Sequence, residues 1–217
     1  HCWINPTDNG KGVARFLDLE LFRRIVSQAV EMGAFGVKLT GGEPLLHPDI
    51  FRMLDIIIAN GLDLILETNA TLCTPKFAAR LAECNGAKVA VSLDGSEAGT
   101  HDWVRGTNGC FRLAVNGIRE LVKAGFKPQI ITTVLKRNIH QLEDIVRLAE
   151  AVGAGSVKFN VLQPISRGRD LCERDEQLNI GELIDASPWV NRQLRRHASL
   201  TVDIVENLNT SKGTDAE

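Results

Sequence analysis

Five short segments of this 217-residue chain combine residue types that can do chemistry. Thr40-Gly41-Gly42-Glu43-Pro44 joins two glycines to a carboxylate. Such glycines let backbone approach a ligand closely and leave its N–H groups exposed. The carboxylate beside them suits an ammonium group or a metal and repels phosphate. Taken alone, the segment is equally consistent with a tight turn whose Glu is solvated. Thr68-Asn69-Ala70-Thr71 and Ser92-Leu93-Asp94-Gly95 offer hydroxyl, amide and carboxylate groups. Asn69 is also a turn former, and Ser92 and Asp94 are also capping residues. Thr133-Val134 and Asn160-Val161-Leu162-Gln163-Pro164 complete the set. Arg105 has Asp94 and Asp102 as candidate ion-pair partners, His101 reads as structural, and His47 reads as a helix-start residue. The cysteines Cys2, Cys73, Cys84, Cys110 and Cys172 share no close metal-ligand spacing. Their odd number and wide scatter exclude a disulfide framework and point to a reducing, cytoplasmic setting.

The elements that position these segments alternate in type. A helical period runs through Leu21, Phe22, Ile25, Val26 and Ala29, with Asp18 as its N-cap. A strand over 36–40 follows. Pro48 opens a second helix that Gly61 closes, and a strand spans 62–67. Thr74-Pro75 starts a third helix running to about Cys84, before a strand over 87–93. A helix over 111–124, a strand over 128–134, a helix capped by Asn138 and a strand over 156–161 repeat the pattern. A weaker helix around 188–197 and a last strand over 201–205 end it. Strands that each lead into a helix are parallel, with right-handed crossovers. An open doubly wound sheet and a β/α barrel both fit; the expectation taken here is an α/β fold, a partial six-stranded (β/α)6 TIM-like barrel missing its first strand. In either architecture ligands gather at the C-terminal ends of the strands. All five polar segments fall there, on one rim.

Composition narrows the function. With 44% hydrophobic and 24% charged residues, the chain is neither fibrous nor disordered. Its longest apolar run, Ile56-Ile57-Ile58-Ala59, is far short of the roughly 18 residues of a membrane span. A net charge of −2 gives no field for nucleic acid or anionic lipid, and the absence of Tyr argues against a base-stacking surface. No nucleic-acid or membrane partner is expected.

Together these segments resemble the radical S-adenosylmethionine (radical SAM) superfamily. In that family a CxxxCxxC loop binds three irons of a [4Fe–4S] cluster, and S-adenosylmethionine chelates the fourth. His1-Cys2-Trp3-Ile4-Asn5-Pro6 resembles the end of that loop, with Cys2 as the third cysteine and a cluster ligand. The two earlier cysteines and the first strand would precede residue 1. Gly41-Gly42-Glu43-Pro44 resembles the second hallmark. The resemblance implies backbone at Gly41 and Gly42 near the methionine moiety and Glu43 as a holder of its amino group. Glu67-Thr68-Asn69-Ala70 resembles the family's Thr-Asn-Gly segment, with Ala70 in place of glycine. Ser92-Leu93-Asp94-Gly95 followed by His101-Asp102-Trp103-Val104-Arg105-Gly106 is similar to members that carry a C-terminal SPASM domain. By that likeness Ser92 contacts the ribose or carboxylate, Arg105 the carboxylate, and Leu162 lies beside the adenine. Pro44, Asn69 and Asp94 join the implied cofactor-binding set.

The resemblance implies residues 1–165 as the radical SAM core and 166–217 as its end, or a linker to a further domain. It implies reductive cleavage of S-adenosylmethionine to a 5′-deoxyadenosyl radical, which abstracts hydrogen from a peptide or small-molecule substrate. The electron donor would be of the flavodoxin or ferredoxin type. Peptide or protein modification fits the SPASM-like segments. Cofactor biosynthesis of the haem d1 or molybdopterin type is the alternative, and a non-catalytic β/α binding module without a cluster is another. An ordinary phosphate-binding barrel is disfavoured by Glu43. Residues 1–217 alone are expected to show little or no catalysis. The loop over 166–180 is expected to cover the site.

Overall fold

The structure, a computed structural model, describes residues 16–179, 181, 182, 185 and 201–205, the last five as backbone. Helix α1 (Leu19–Glu31) starts where Asp18 accepts a hydrogen bond from the Leu21 N–H at 2.9 Å. It buries Phe22 and Val26, and Gly33 in the left-handed region ends it (φ 88°). Strand β1 (Gly36–Leu39) leads through a 3₁₀ turn (Pro44–Leu46) into α2 (Ile50–Ala59). Strand β2 (Asp63–Thr68), α3 (Pro75–Leu81) and β3 (Lys88–Ser92) follow. Thr74 caps α3 by accepting from the Phe77 N–H, with Pro75 preset in the first turn. Next come α4 (Ala98–Arg105), α5 (Cys110–Lys123), β4 (Gln129–Val134), α6 (Leu142–Ala151), β5 (Ser156–Val161), α7 (Arg167–Glu173) and β6 (Thr201–Val205).

The six strands are all parallel and lie in the order β1-β2-β3-β4-β5-β6. This order decides between the two architectures. A doubly wound sheet reverses direction at a switch point and covers both faces with helices. Here each strand neighbours the next in sequence, so right-handed crossovers place every helix on one side. The result is the winding of a barrel, with β1 and β6 unpaired to each other among the described residues. The strands alternate accordingly: Leu64, Leu66, Val91, Ile130, Val157 and Phe159 are buried against the helices. The intervening residues form the inner face, and most are polar.

The fold differs from the sequence reading in detail. Two helices, α4 and α7, occupy stretches read as loop. Helix α4 buries Thr100, His101 and Val104, too few apolar positions to show a helical period. Asn138 does not cap α6. Its side chain is buried, where its amide donates to the Asp94 and Thr133 carbonyls and its oxygen accepts from the Leu135 N–H. Helix α3 ends three residues before Cys84, at Leu81. The helix expected at 188–197 lies outside the described residues. The last strand is present as β6.

Candidate functional site

A cavity of about 650 Å³ lies over the C-terminal ends of the strands, within the range of small-molecule sites. Its first wall is the loop after β1. Gly41 has φ 124°, a conformation that L side chains rarely adopt, and nothing lies within 4 Å of where a Cβ would stand on Gly41 or Gly42. Two residues of bare backbone therefore face the cavity.

Glu43 holds that loop in place. One carboxylate oxygen accepts from the Leu45 N–H at 3.1 Å and the Thr68 hydroxyl at 2.6 Å; the other accepts from the Asn69 N–H at 2.7 Å. The carboxylate thus caps the 3₁₀ turn and ties it to the end of β2. Asn69 lines the cavity, and its side-chain oxygen accepts from the N–H and hydroxyl of Thr71. Ala70, in the place where the family has glycine, is fully buried with φ 57°. Helix α5 runs so close beneath it that a Cβ on Gly117 would sit 2.0 Å from the Ala70 carbonyl oxygen.

The opposite wall is built on Asp94. It is fully buried, pairs with the Arg105 guanidinium at 2.6 Å and accepts from the Thr133 N–H at 2.8 Å. Its own N–H donates to His101 Nδ1 at 3.0 Å, so the neutral ring carries its proton on Nε2. Burial pushes the His101 pKa down to about 4, and the nearby Arg105 adds to the fall. Asp102 turns away to α5, where it accepts from the Gly109 and Phe111 N–H groups. Those bonds, led by the one from Phe111, hold its pKa below the ordinary range. Arg105 therefore pairs with Asp94 and not with Asp102. Its Nε is buried without a hydrogen-bond partner among the described residues, and the residue lines the cavity.

Among the implied site residues, Gly41, Gly42, Glu43, Asn69, Ser92 and Arg105 all line this one cavity. Three do not. Pro44 belongs to the 3₁₀ turn behind it. Asp94 stands behind Arg105. Leu162 is buried with Val104, Leu135 and Leu171 in a small cluster of its own. Cys2 lies outside the described residues. Among the described residues no three His, Cys, Asp or Glu side chains come together as a metal site. Cys73 and Cys110 are buried, and burial pushes both thiols up to about 11. His47 accepts from the Asp49 N–H and bonds the Leu17 carbonyl, bracing the approach to α2.

Thr133 and Asn160 line the cavity from β4 and β5, as their rim positions imply. Sequence reasoning missed other wall residues, with Glu67 and Lys158 pointing inward from β2 and β5. Charge at Glu67 and Lys158, two residues before the rim positions of otherwise apolar strands, was the signal available. Trp103 lines the cavity from α4, with the Arg137 guanidinium 3.7 Å from its ring centroid. Helix α7, in the stretch expected to cover the site, contributes Asp170 and Leu171, and its C-cap Arg174 joins them. The segment after it is fastened by Lys136 to Asp175 at 2.8 Å and by Arg137 to Glu176 at 3.2 Å.

Parallel strands wound in sequence order, with strand-end loops converging on one polar cavity, define a β/α-barrel type of small-molecule site. Residues 1–149 match the Radical SAM superfamily. The AdoMet-dependent heme synthase of Methanosarcina barkeri is 37% identical over 146 residues, covering 67% of this chain and 42% of that protein. The mycofactocin maturase MftC of Mycobacterium ulcerans is 34% identical over 174 residues, 80% of this chain and 46% of that one. Streptococcus suis SuiB shares the fold at 16% identity. Its complex with S-adenosylmethionine gives a TM-score of 0.76 over 90% of this chain and 45% of SuiB; its complex with the precursor peptide SuiA gives 0.74 over 94% and 45%. The chain spans about half the length of the relatives it matches. It belongs to the radical SAM superfamily, whose cofactors are S-adenosylmethionine and a [4Fe–4S] cluster.

The cavity suits the first of these. Bare backbone at Gly41 and Gly42 can accept an ammonium group and a sulfonium chain without steric cost. The buried, unpartnered Nε of Arg105 suits a carboxylate, and the Ser92 hydroxyl, which bonds no described residue, suits a ribose.

Proposed function

We propose that this chain is the S-adenosylmethionine-binding core of a radical enzyme that modifies a peptide or protein. The observation that carries the reading is the convergence of Gly41, Gly42, Asn69, Ser92 and Arg105 on one cavity. Those residues come from three βα units and share no other evident purpose. When bound, the cluster and S-adenosylmethionine supply one-electron cleavage of the sulfonium, giving methionine and a 5′-deoxyadenosyl radical that removes a substrate hydrogen atom. The residues of this chain bind and orient. Glu43 keeps the two-glycine loop against β2, where its backbone would hold the ligand's ammonium group. Asp94 holds Arg105 from behind, which leaves Nε for the ligand's carboxylate. Ser92 and Asn69 position the remainder, and Cys2 is assigned as a cluster ligand. Helix α7 narrows the cavity mouth and helps to exclude water.

A peptide substrate is supported by the likeness to MftC, by the shared fold of SuiB with its bound precursor peptide, and by the Ser-Leu-Asp-Gly segment. The 37% identity to a heme synthase favours cofactor biosynthesis as the second reading. A flavodoxin or ferredoxin would supply the electron in either case.

The test is anaerobic reconstitution of the intact protein followed by reduction with dithionite. Iron, methionine and 5′-deoxyadenosine are then measured, with Cys2→Ala alongside. The expected result is 5′-deoxyadenosine from the wild type and none from the variant. A wild type that holds a cluster and S-adenosylmethionine yet never yields 5′-deoxyadenosine would overturn the proposal. Incubation with candidate precursor peptides and with a tetrapyrrole substrate separates the two readings.

A further inference from the structure

The inner face of the sheet carries polar groups that binding S-adenosylmethionine leaves unused. Lys38, Glu67 and Lys158 stand on β1, β2 and β5, each two residues before a rim position. Glu67 is committed: one oxygen lies 2.6 Å from Lys38 Nζ and the other accepts from the Thr40 hydroxyl at 2.8 Å. Burial raises its pKa, but the bonds from Lys38 and Thr40 outweigh it, and the carboxyl ends below its ordinary value. Lys158 is different. It is half-buried on the cavity wall and has no hydrogen bond or ion pair to any described residue. Between it and Glu67, the inner face at β3 and β4 presents Ala90, Ser92 and Ile131, which add no charge.

One step nearer the rim, Thr133 and Asn160 are in-register neighbours. Neither the Thr133 hydroxyl nor the Asn160 amide bonds a described residue. A lysine held half out of water on a strand is costly unless an anion meets it. Glu67 is spent on Lys38 and Thr40 and reaches Lys158 only through space, so no described carboxylate meets the Lys158 ammonium group directly.

We propose that Lys158, with Thr133 and Asn160, seats a carboxylate of the substrate below the S-adenosylmethionine rim. The substrate is then one that presents a carboxylate to the barrel interior, as an acidic side chain or a chain terminus does. The inference rests on the radical SAM reading for its chemistry, but its test does not.

The intact protein is treated with acetic anhydride, and acetylation of Lys158 is compared with that of the exposed Lys88 by peptide mass. Glutarate is the probe, and glutaramide is its uncharged twin. The expected result is glutarate protecting Lys158 and not Lys88, with glutaramide protecting neither. Lys158→Met should weaken glutarate binding about tenfold, the loss typical of one charge-assisted hydrogen bond, and leave S-adenosylmethionine affinity within about twofold. Lack of protection in the folded wild type overturns the seat. Loss of S-adenosylmethionine affinity in Lys158→Met also overturns it, by assigning the lysine to that ligand. Asp203 is in register beside Lys158 on β6. Protection present before any probe and released by Asp203→Asn would make Lys158 one half of an inter-strand pair, again overturning the seat. The glutarate arm is run with and without S-adenosylmethionine. A wild type that binds glutarate but not S-adenosylmethionine would refute the S-adenosylmethionine-binding core and uphold the carboxylate seat.

Discussion

Replacing Glu43 with Gln tests whether this carboxylate is a brace for the glycine loop. Glu43 accepts three hydrogen bonds, and two of them cross 25 and 26 residues of chain to reach the end of β2. A glutamine keeps one acceptor oxygen and gains an NH₂ donor. With the oxygen toward Leu45 and Thr68, the NH₂ meets the Asn69 N–H, donor against donor. With the amide reversed, it meets the Leu45 N–H instead, while Thr68 is already accepting from the Ala70 N–H at 2.9 Å. Either way one charge-assisted bond is lost and one half-buried N–H is left unmade. Each change costs about 1.5 kcal/mol or more, so the loop is loosened by about 3 kcal/mol. At 1.4 kcal/mol per decade, that corresponds to roughly a hundredfold loss of S-adenosylmethionine affinity if binding needs the loop in place. Calorimetric titration of the ligand reads the affinity, and hydrogen exchange at the Asn69 amide reads the brace. A Glu43→Gln protein that binds within about twofold of wild type, with the Asn69 amide still protected, would mean that the glycine loop stands without its carboxylate.

Three further outcomes follow from the same geometry. Asp94→Asn removes the buried partner of Arg105 and should cost about 3–5 kcal/mol in urea unfolding, so a loss below about 1 kcal/mol would contradict the wall described here. Gly117→Ala places a methyl group against the Ala70 carbonyl and should destabilise by about 3 kcal/mol, visible as a drop in melting temperature; an unchanged value would mean that α5 sits farther from β2. His101 is neutral when folded, with its pKa near 4, whereas the unfolded chain protonates it near 6.5. The unfolded state therefore binds more protons between these values, and stability falls as pH drops from about 6.5 to about 4, by up to about 3 kcal/mol. His101→Gln should lack that slope, and a slope shared by both proteins would place its origin elsewhere.

Much of the frame was legible because its signals are local. Asp18 and Thr74 cap the helices that the apolar period outlines, and glycines stop them where a left-handed residue is needed. The rim followed from the rule for parallel strands, which brought Gly41, Gly42, Glu43, Asn69 and Ser92 together, while Arg105 came with the family resemblance. What escaped depends on contacts distant in sequence. Helix α4 is held by the network of Asp94, His101, Gln141 and Thr100 more than by an apolar stripe. Asn138 resembles a cap in sequence but serves as a buried bracket between β3 and β4. Glu43 reads as a ligand-facing carboxylate and does line the cavity, but nothing in the sequence shows that it also braces the loop on the end of β2. Lys158 sits inside a strand, where alternation gives its face but only the register with β4 shows which groups stand beside it.

The unbroken strand order has a consequence for how the protein is made. Each βα unit docks on the one synthesised just before it, so the sheet can grow from the ribosome without waiting for a distant partner. The glycine loop and its brace on β2 emerge before β4 and β5. The stretch from Thr40 to Asn160 takes on the order of ten seconds at common elongation rates of about 5–20 residues per second. The binding pocket is therefore laid down in chronological order, with the cofactor-handling wall complete before the last strands supply the wall assigned to the substrate.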